Sequence, residues 1–256
     1  MTRVFSGVLL AAAALAALLF LPPAGLRLVA AIVAAIAAFE YLALIGIDDR
    51  RGRPAFVFLV AYTAWTLSSS GRMSVVALAA LFIAAVAAVF LKRNSGQQAV
   101  LGAFSVVYIG MPLGLLALLN IVHGWRATAL LIATIVVSDS LQYYTGRAFG
   151  RHALAPTISP KKTIEGAIGG VIAGTLFMLV GGSFEFPERP WPLLAVLGFV
   201  MVLLGILGDL FESRLKRDAN VKDSSSLIPG HGGVLDRIDS LLFVAPAYAI
   251  ALGVVR

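Results

Sequence analysis

Apolar residues recur along this chain in runs of near-membrane-spanning length. They fall at about 4–21, 26–47, 55–70, 73–91, 98–119, 126–146, 166–182, 192–208 and 238–255. A hydrocarbon core of about 30 Å needs roughly 20 such residues in a helix. The runs are continuous and rich in Ala and Leu, without the alternation of a membrane strand. They predict an all-α polytopic membrane bundle of about nine transmembrane helices. Composition agrees, because only 13% of the 256 residues are charged, against about 25% in soluble domains. The first run is longer than a signal-peptide core and reads as the first span. Cysteine is absent, which excludes disulfides and thiolate metal sites.

Nine spans place the connecting loops alternately on two sides. Arg27, Arg72, Arg126, Arg189 and Arg256 fall on one side, and the other 15 of the 20 Lys and Arg residues fall on the opposite side. The positive-inside rule then puts the N-terminus in the cytoplasm and the C-terminus outside. No stretch is polar enough for a soluble domain and no internal repeat is visible. The reading is one integrated membrane domain, with about five spans over 1–125 and a catalytic region over 126–256. Two long loops of that region, about 147–165 and 209–237, lie on the cytoplasmic side. Polar residues collected on one face predict a site there.

Several stretches carry chemistry. Asp139, in IVVSDSLQYY, lies near the cytoplasmic end of the sixth run, and an acid at membrane depth is a functional candidate. In SPKKTIEG (159–166), Ser159 can cap a helix begun by Pro160. Free N–H groups at such a start, with Lys161, Lys162 and Thr163, form an anion site. The other reading is a capped helix whose lysines grip lipid headgroups. In GDLFESRLKR (208–217), helical spacing puts Asp209, Glu212 or Ser213, and Lys216 on one face. That pattern also fits a salt-bridged helix end. In PGHGG (229–233), glycines permit close approach of backbone to ligand, and His231 is either a phosphate donor or an ordinary interfacial histidine. Asp236 and Asp239 open the last run on one face. Hard carboxylate oxygens at Asp209, Asp236 and Asp239 suit Mg²⁺. No Walker, Rossmann or HExxH pattern occurs. Acids, bases and a glycine loop at one membrane face suit phosphoryl or nucleotidyl transfer.

The run SRLKRDANVKDSSSLIPGHGGVLDRID (213–239) resembles the signature of the phosphatidate cytidylyltransferases, or CDP-diacylglycerol synthases. Ser213, Lys216–Arg217, Lys222–Asp223, Ser225, Pro229 through Gly233, Asp236–Arg237 and Asp239 match it in order, and the likeness extends over roughly 130–256. It implies transfer of CMP from CTP to phosphatidate, with release of pyrophosphate, by a multi-pass protein of the cell membrane. Asp209, Asp236 and Asp239 would hold Mg²⁺, with K⁺ as a possible second cation. Ser159, Lys161, Lys162, Thr163, Lys216, Arg217, Lys222, His231 and the Gly232–Gly233 backbone would bind phosphate, with Asp139 beside them. The implied partners are CTP, a lipid phosphate and membrane lipids, without nucleic acid; a two-fold homodimer fits. Leu141 and Gln142 depart from the small residues the family often places before its tyrosine, which bears on the acceptor. The alternatives are cytidylyl transfer to an isoprenoid ether lipid phosphate, a polyprenol kinase, a transporter, or an inactive lipid-binding relative.

Overall fold

A computed structural model describes residues 2–47, 52–70 and 93–254. The helices, in chain order, are α1 (Thr2–Phe20), α2 (Pro23–Leu44), α3 (Gly52–Ser70), α4 (Arg93–Ser105), α5 (Met111–His123), α6 (Trp125–Phe149), α7 (Ile164–Glu185), α8 (Trp191–Asp218) and α9 (Leu235–Ala251). A π-helical turn at Val106–Gly110 joins α4 to α5. Each predicted run within the described residues falls mainly on helix, that at 98–119 spanning α4, the π-helical turn and α5; the run at 73–91 lies outside them. By length and composition, five helices among the described residues can cross a membrane: Pro23–Leu44, Gln98–His123, Trp125–Phe149, Ile164–Glu185 and Trp191–Asp218.

Local chemistry sets the boundaries. Pro23 starts α2 at a position that needs no backbone donor. Gly46, at φ 74°, ends the same helix by donating to the Ala43 carbonyl, while Ile47 N–H reaches the Leu42 carbonyl. Pro190 and Pro192 flank the start of α8. At about 1.5 Å per residue, the 28 residues of α8 extend about 42 Å, more than a bilayer core requires. Its last turns therefore carry Asp209 through Arg217 toward the membrane surface.

The all-α expectation needs one correction. Strands β1 (Ala153–Ala155) and β2 (Ser159–Thr163) form an antiparallel pair, with Ala153 opposite Thr163 and Ala155 opposite Ser159. Ser159 and Pro160 thus belong to a strand and do not start a helix. Helix α7 begins at Ile164, and the cap is Thr163, whose Oγ1 accepts from Gly166 N–H at 3.1 Å. A two-stranded ribbon has only edge strands, where a proline without N–H is tolerated. Glu165 secures the ribbon to α7, accepting from Arg151 N–H at 3.0 Å and lying 2.6 Å from His152 Nδ1.

Small residues allow the helices to approach closely, as expected where hydrophobic burial cannot drive association in lipid. A Cβ at Gly110 or Gly114 of the π-helix–α5 segment would sit 2.8 or 3.0 Å from the Val60 or Ala64 carbonyl of α3. On α7, Gly166 and Gly170 face the Gln142 and Ser138 carbonyls of α6, at 2.7 and 3.0 Å from an added Cβ. The opposite face of α7 exposes Ile164, Ile168, Ile172, Leu176 and Val180 at four-residue spacing, an apolar row suited to lipid. One core cluster joins α2, α3, α5 and α9 around Tyr41, Ile109 and Leu235. A second joins α5 to α9 around Leu131, Met178, Met201 and Tyr248.

Gly170→Val should separate α6 from α7, destabilising the protein by about 1–3 kcal/mol as overpacking does. Thermal unfolding in detergent checks this; an unchanged midpoint would show that the seam tolerates a side chain.

Candidate functional site

A half-open cavity of about 760 Å³ lies between α6, the β2–α7 junction, α8 and the start of α9. Its charged lining includes Asp139, Lys161, Lys162, Asp209, Lys216 and Asp239, with Asp223, Asp236 and Arg237 also on the wall. Ile132, Ile135, Val136 and Leu241 line an apolar portion. Four elements spread over more than a hundred residues, from Ile132 to Leu241, therefore meet, as the clustering of charges predicts.

The charges are ordered by direct pairing. Lys162, raised beside the cavity by β2, pairs with Asp209 Oδ2. One turn along α8, Ser213 Oγ donates to Asp209 Oδ1 at 3.2 Å. Lys216 reaches from the same face to Glu212 and, at 2.6 Å, to Asp236 Oδ1. Of the alternatives at this position, Ser213 bonds Asp209 and Glu212 pairs with Lys216, so the salt-bridged helix end is present as well. Glu212 is completely buried, and Lys216 pairs with its Oε2, partly offsetting an otherwise expensive carboxylate.

Asp236 is held on its other oxygen. Oδ2 accepts from Ser224 N–H at 2.9 Å, Ser224 Oγ at 2.9 Å and Gly233 N–H at 2.7 Å. Asp239 accepts from Ser240 N–H at 2.8 Å through Oδ1. Among the described residues, no three His, Asp or Glu groups are clustered to hold an ion unaided. The hard oxygen donors of Asp209 and Asp239 nevertheless fit Mg²⁺, which commonly uses one or two carboxylates and completes its shell with water and substrate phosphate.

The glycine loop packs closely on its own chain. Ile228 and Gly232 form a tight bridge, with Gly230 and Gly232 at φ 78° and 80°. A Cβ at Gly233 would collide with Ser224 Oγ and the Glu40 carboxylate. Here the small residues let the chain pack on its own acids. His231 does not line the cavity; its ring stands 3.4 Å from where a Cβ on Gly7 of α1 would be. Ser159, Arg217, Lys222 and Gly232 also lie off the cavity wall. Arg217 instead donates to the carbonyls of Ile158 and Val221, at 3.3 and 3.1 Å. Lys161, Lys162 and Thr163 do reach the cavity, although from a strand end.

Sequence reasoning missed Glu40. This α2 acid is 4% exposed; it accepts from Ser225 Oγ and from the Val234 and Leu235 N–H groups, and the Ser224 hydroxyl lies 3.0 Å away. Its signal was present: a lone acid within the apolar run AAFEYLAL, the kind of residue that marks function or packing inside a membrane. Gln142, one of the two departures noted above, is buried and lines the cavity.

Comparison with known proteins matches residues 1–255 to the cytidylyltransferase family. The chain belongs to that family. It is 34% identical over 279 residues to a phosphatidate cytidylyltransferase of Haemophilus influenzae, covering 96% of each chain. Its identity to the phosphatidate cytidylyltransferase of Pseudomonas aeruginosa is also 34%, covering 98% of this chain and 96% of the relative. An Escherichia coli relative named uncharacterized protein YnbB is 33% identical over 85% of this chain and 76% of its own length. Family membership therefore extends to the N-terminal helices, where the sequence by itself offered hydrophobicity alone.

Lys216→Met should leave the Glu212 and Asp236 carboxylates buried without their shared cation. Losing one partner of a buried pair destabilises by about 3–5 kcal/mol. Thermal unfolding should show that loss, with Lys216→Arg less affected; equal midpoints for wild type and Lys216→Met would show that the pairing carries no stability.

Proposed function

We propose that this cytidylyltransferase joins CTP to phosphatidate, giving CDP-diacylglycerol and pyrophosphate at the cytoplasmic membrane surface. The observation that carries this reading is a single cavity with opposed chemistry. Its charged part suits a triphosphate, and its apolar part suits the glycerolipid adjoining a phosphate. The two relatives named for phosphatidate cytidylyl transfer support the same acceptor.

In this mechanism Lys161, Lys162 and Lys216 orient the CTP phosphates and offset their charge. Asp209 and Asp239 would hold Mg²⁺, which when bound would supply charge neutralisation on the triphosphate. Asp236 keeps Lys216 directed at the cavity. A phosphatidate oxygen forms the new bond to the α-phosphorus of CTP while the bond to pyrophosphate breaks. Because that oxygen is already ionised, Asp139 need not remove a proton; it stands on the α6 wall of the cavity. Gln142 narrows this wall where the family often has a small residue, so it would influence which acceptor is seated.

Purified protein in detergent, supplied with labelled CTP, Mg²⁺ and phosphatidate, should yield CDP-diacylglycerol and pyrophosphate together. Chelation should stop the reaction and added Mg²⁺ should restore it. Asp209→Asn and Asp239→Asn should each reduce turnover by roughly a hundred-fold or more, the scale of losing one transition-state electrostatic contact, while remaining folded. No product from phosphatidate, with product from an isoprenoid ether lipid phosphate, would overturn the acceptor and retain the chemistry. Release of CDP in place of pyrophosphate would overturn cytidylyl transfer.

The proposed orientation places the N-terminus and the cavity on the cytoplasmic side, with Arg256 outside. A reporter fused after Arg256 should be active only in the non-cytoplasmic compartment; a cytoplasmic signal would reject the nine-span arrangement.

A further inference from the structure

A buried acid on α2 organises a loop almost two hundred residues later in the chain. Ser224 Oγ lies 3.0 Å from Glu40 Oε2, and Ser225 Oγ donates to Glu40 Oε1 at 2.7 Å. Val234 N–H donates to Oε1 at 3.0 Å and Leu235 N–H to Oε2 at 2.8 Å. The last two donors belong to the start of α9, where helix N–H groups lack partners within their own helix. Glu40 supplies those partners from another helix. Three donors and the shared Ser224 hydroxyl converge on one side chain, so loop and helix start share a common anchor.

That anchor is connected to the cavity through Ser224. Its hydroxyl lies between Glu40 Oε2 and Asp236 Oδ2, at 3.0 and 2.9 Å. Its backbone N–H also donates to Asp236. Asp236 in turn receives Lys216, which lines the cavity. The missing Cβ of Gly233 is what lets Glu40 and Ser224 approach from the same side. Lipid exposure does not explain a carboxylate in this position, because Glu40 is nearly sealed from the surface.

We propose that Glu40 is a positioning residue for cytidylyl transfer. It holds the 224–235 segment so that the Asp236–Lys216 pair faces the cavity in register. Its influence on the reaction rests on the cytidylyltransferase reading given above, while its hold on the loop can be measured separately. Glu40 touches neither substrate in this assignment; it acts through Ser224, Asp236 and the first turn of α9. Outer-shell residues that orient an inner group commonly change function ten- to a hundred-fold when replaced.

The test uses the full chain in detergent and the variants Glu40→Gln, Glu40→Asp and Ser224→Ala. Glutamine keeps the shape but presents an amide donor to a site already filled with donors. Glu40→Gln should lower kcat/KM for CTP by about ten- to a hundred-fold per folded molecule, with faster amide exchange at Val234 and Leu235 and unchanged exchange in α6. Ser224→Ala should reproduce part of the kinetic loss. Combining it with Glu40→Gln should add little, because the two residues act along one path. Glu40→Asp keeps the charge and should recover activity beyond Glu40→Gln. Turnover within two-fold of wild type in Glu40→Gln, with unchanged exchange at Val234 and Leu235, would overturn the proposal. So would a lowered unfolding midpoint with full activity per folded molecule. If the unsubstituted chain fails to use CTP with any lipid phosphate, the functional reading falls; exchange at Val234 and Leu235 still decides whether Glu40 holds the loop.

Discussion

Lys216 is the group on which the site geometry depends. It joins a wholly buried Glu212 to Asp236, linking the end of α8 to the start of α9. Two carboxylates this close would repel strongly in a low-dielectric setting without a cation between them. With Lys216 present, the end of one helix and the beginning of the next are brought together at the cavity. A second ion pair, Lys162 with Asp209, attaches the β2–α7 junction to the same face of α8. The cavity wall is consequently assembled by charge pairing, whereas the bundle beneath it is assembled by shape.

The shape component comes from small residues. Gly166 and Gly170 permit α7 to rest on the α6 backbone, and Gly110 and Gly114 do the same for the π-helix–α5 segment on α3. In lipid, such contacts replace the hydrophobic burial that drives packing in water. Close approach of α6 and α7 also determines where Asp139 and Gln142 stand, since both lie on the face of α6 that reaches the cavity. The large apolar side chains can then point outward, as along the exposed row of α7. Helix packing and site placement are therefore parts of one arrangement.

Hydropathy located the helices because a membrane span must satisfy its backbone internally and present apolar side chains. Helical spacing likewise brought Asp209, Ser213 and Lys216 to one face without knowledge of their partners. The same reasoning misread SPKKT because Ser-Pro is a frequent helix opening, whereas pairing with Ala153–Ala155 made this segment a strand. That pairing depends on a neighbouring segment, as does capping by Thr163. Glu40 was harder still. Its isolation in an apolar run was visible, but its partners lie in the 224–235 loop, and their approach depends on the fold of the whole bundle. The glycines of PGHGG were legible as sites of close approach; what approaches proved to be Ser224, Glu40 and Asp236.

The distribution of acids also separates two duties that sequence spacing had combined. Asp236 is occupied by Lys216, Ser224 and Gly233, so its carboxylate is already committed to local order. Asp209 and Asp239 face the cavity with fewer protein donors. A cation shell drawn partly from substrate phosphates would fit such a pair better than a cage closed entirely by protein. If Mg²⁺ binds there as proposed, affinity for the cation would rise when the triphosphate arrives, and charge would be neutralised where the bond to pyrophosphate lengthens. Glu40 would make this arrangement reproducible from within the bundle, by fixing the segment that carries Asp236 and the first turn of α9.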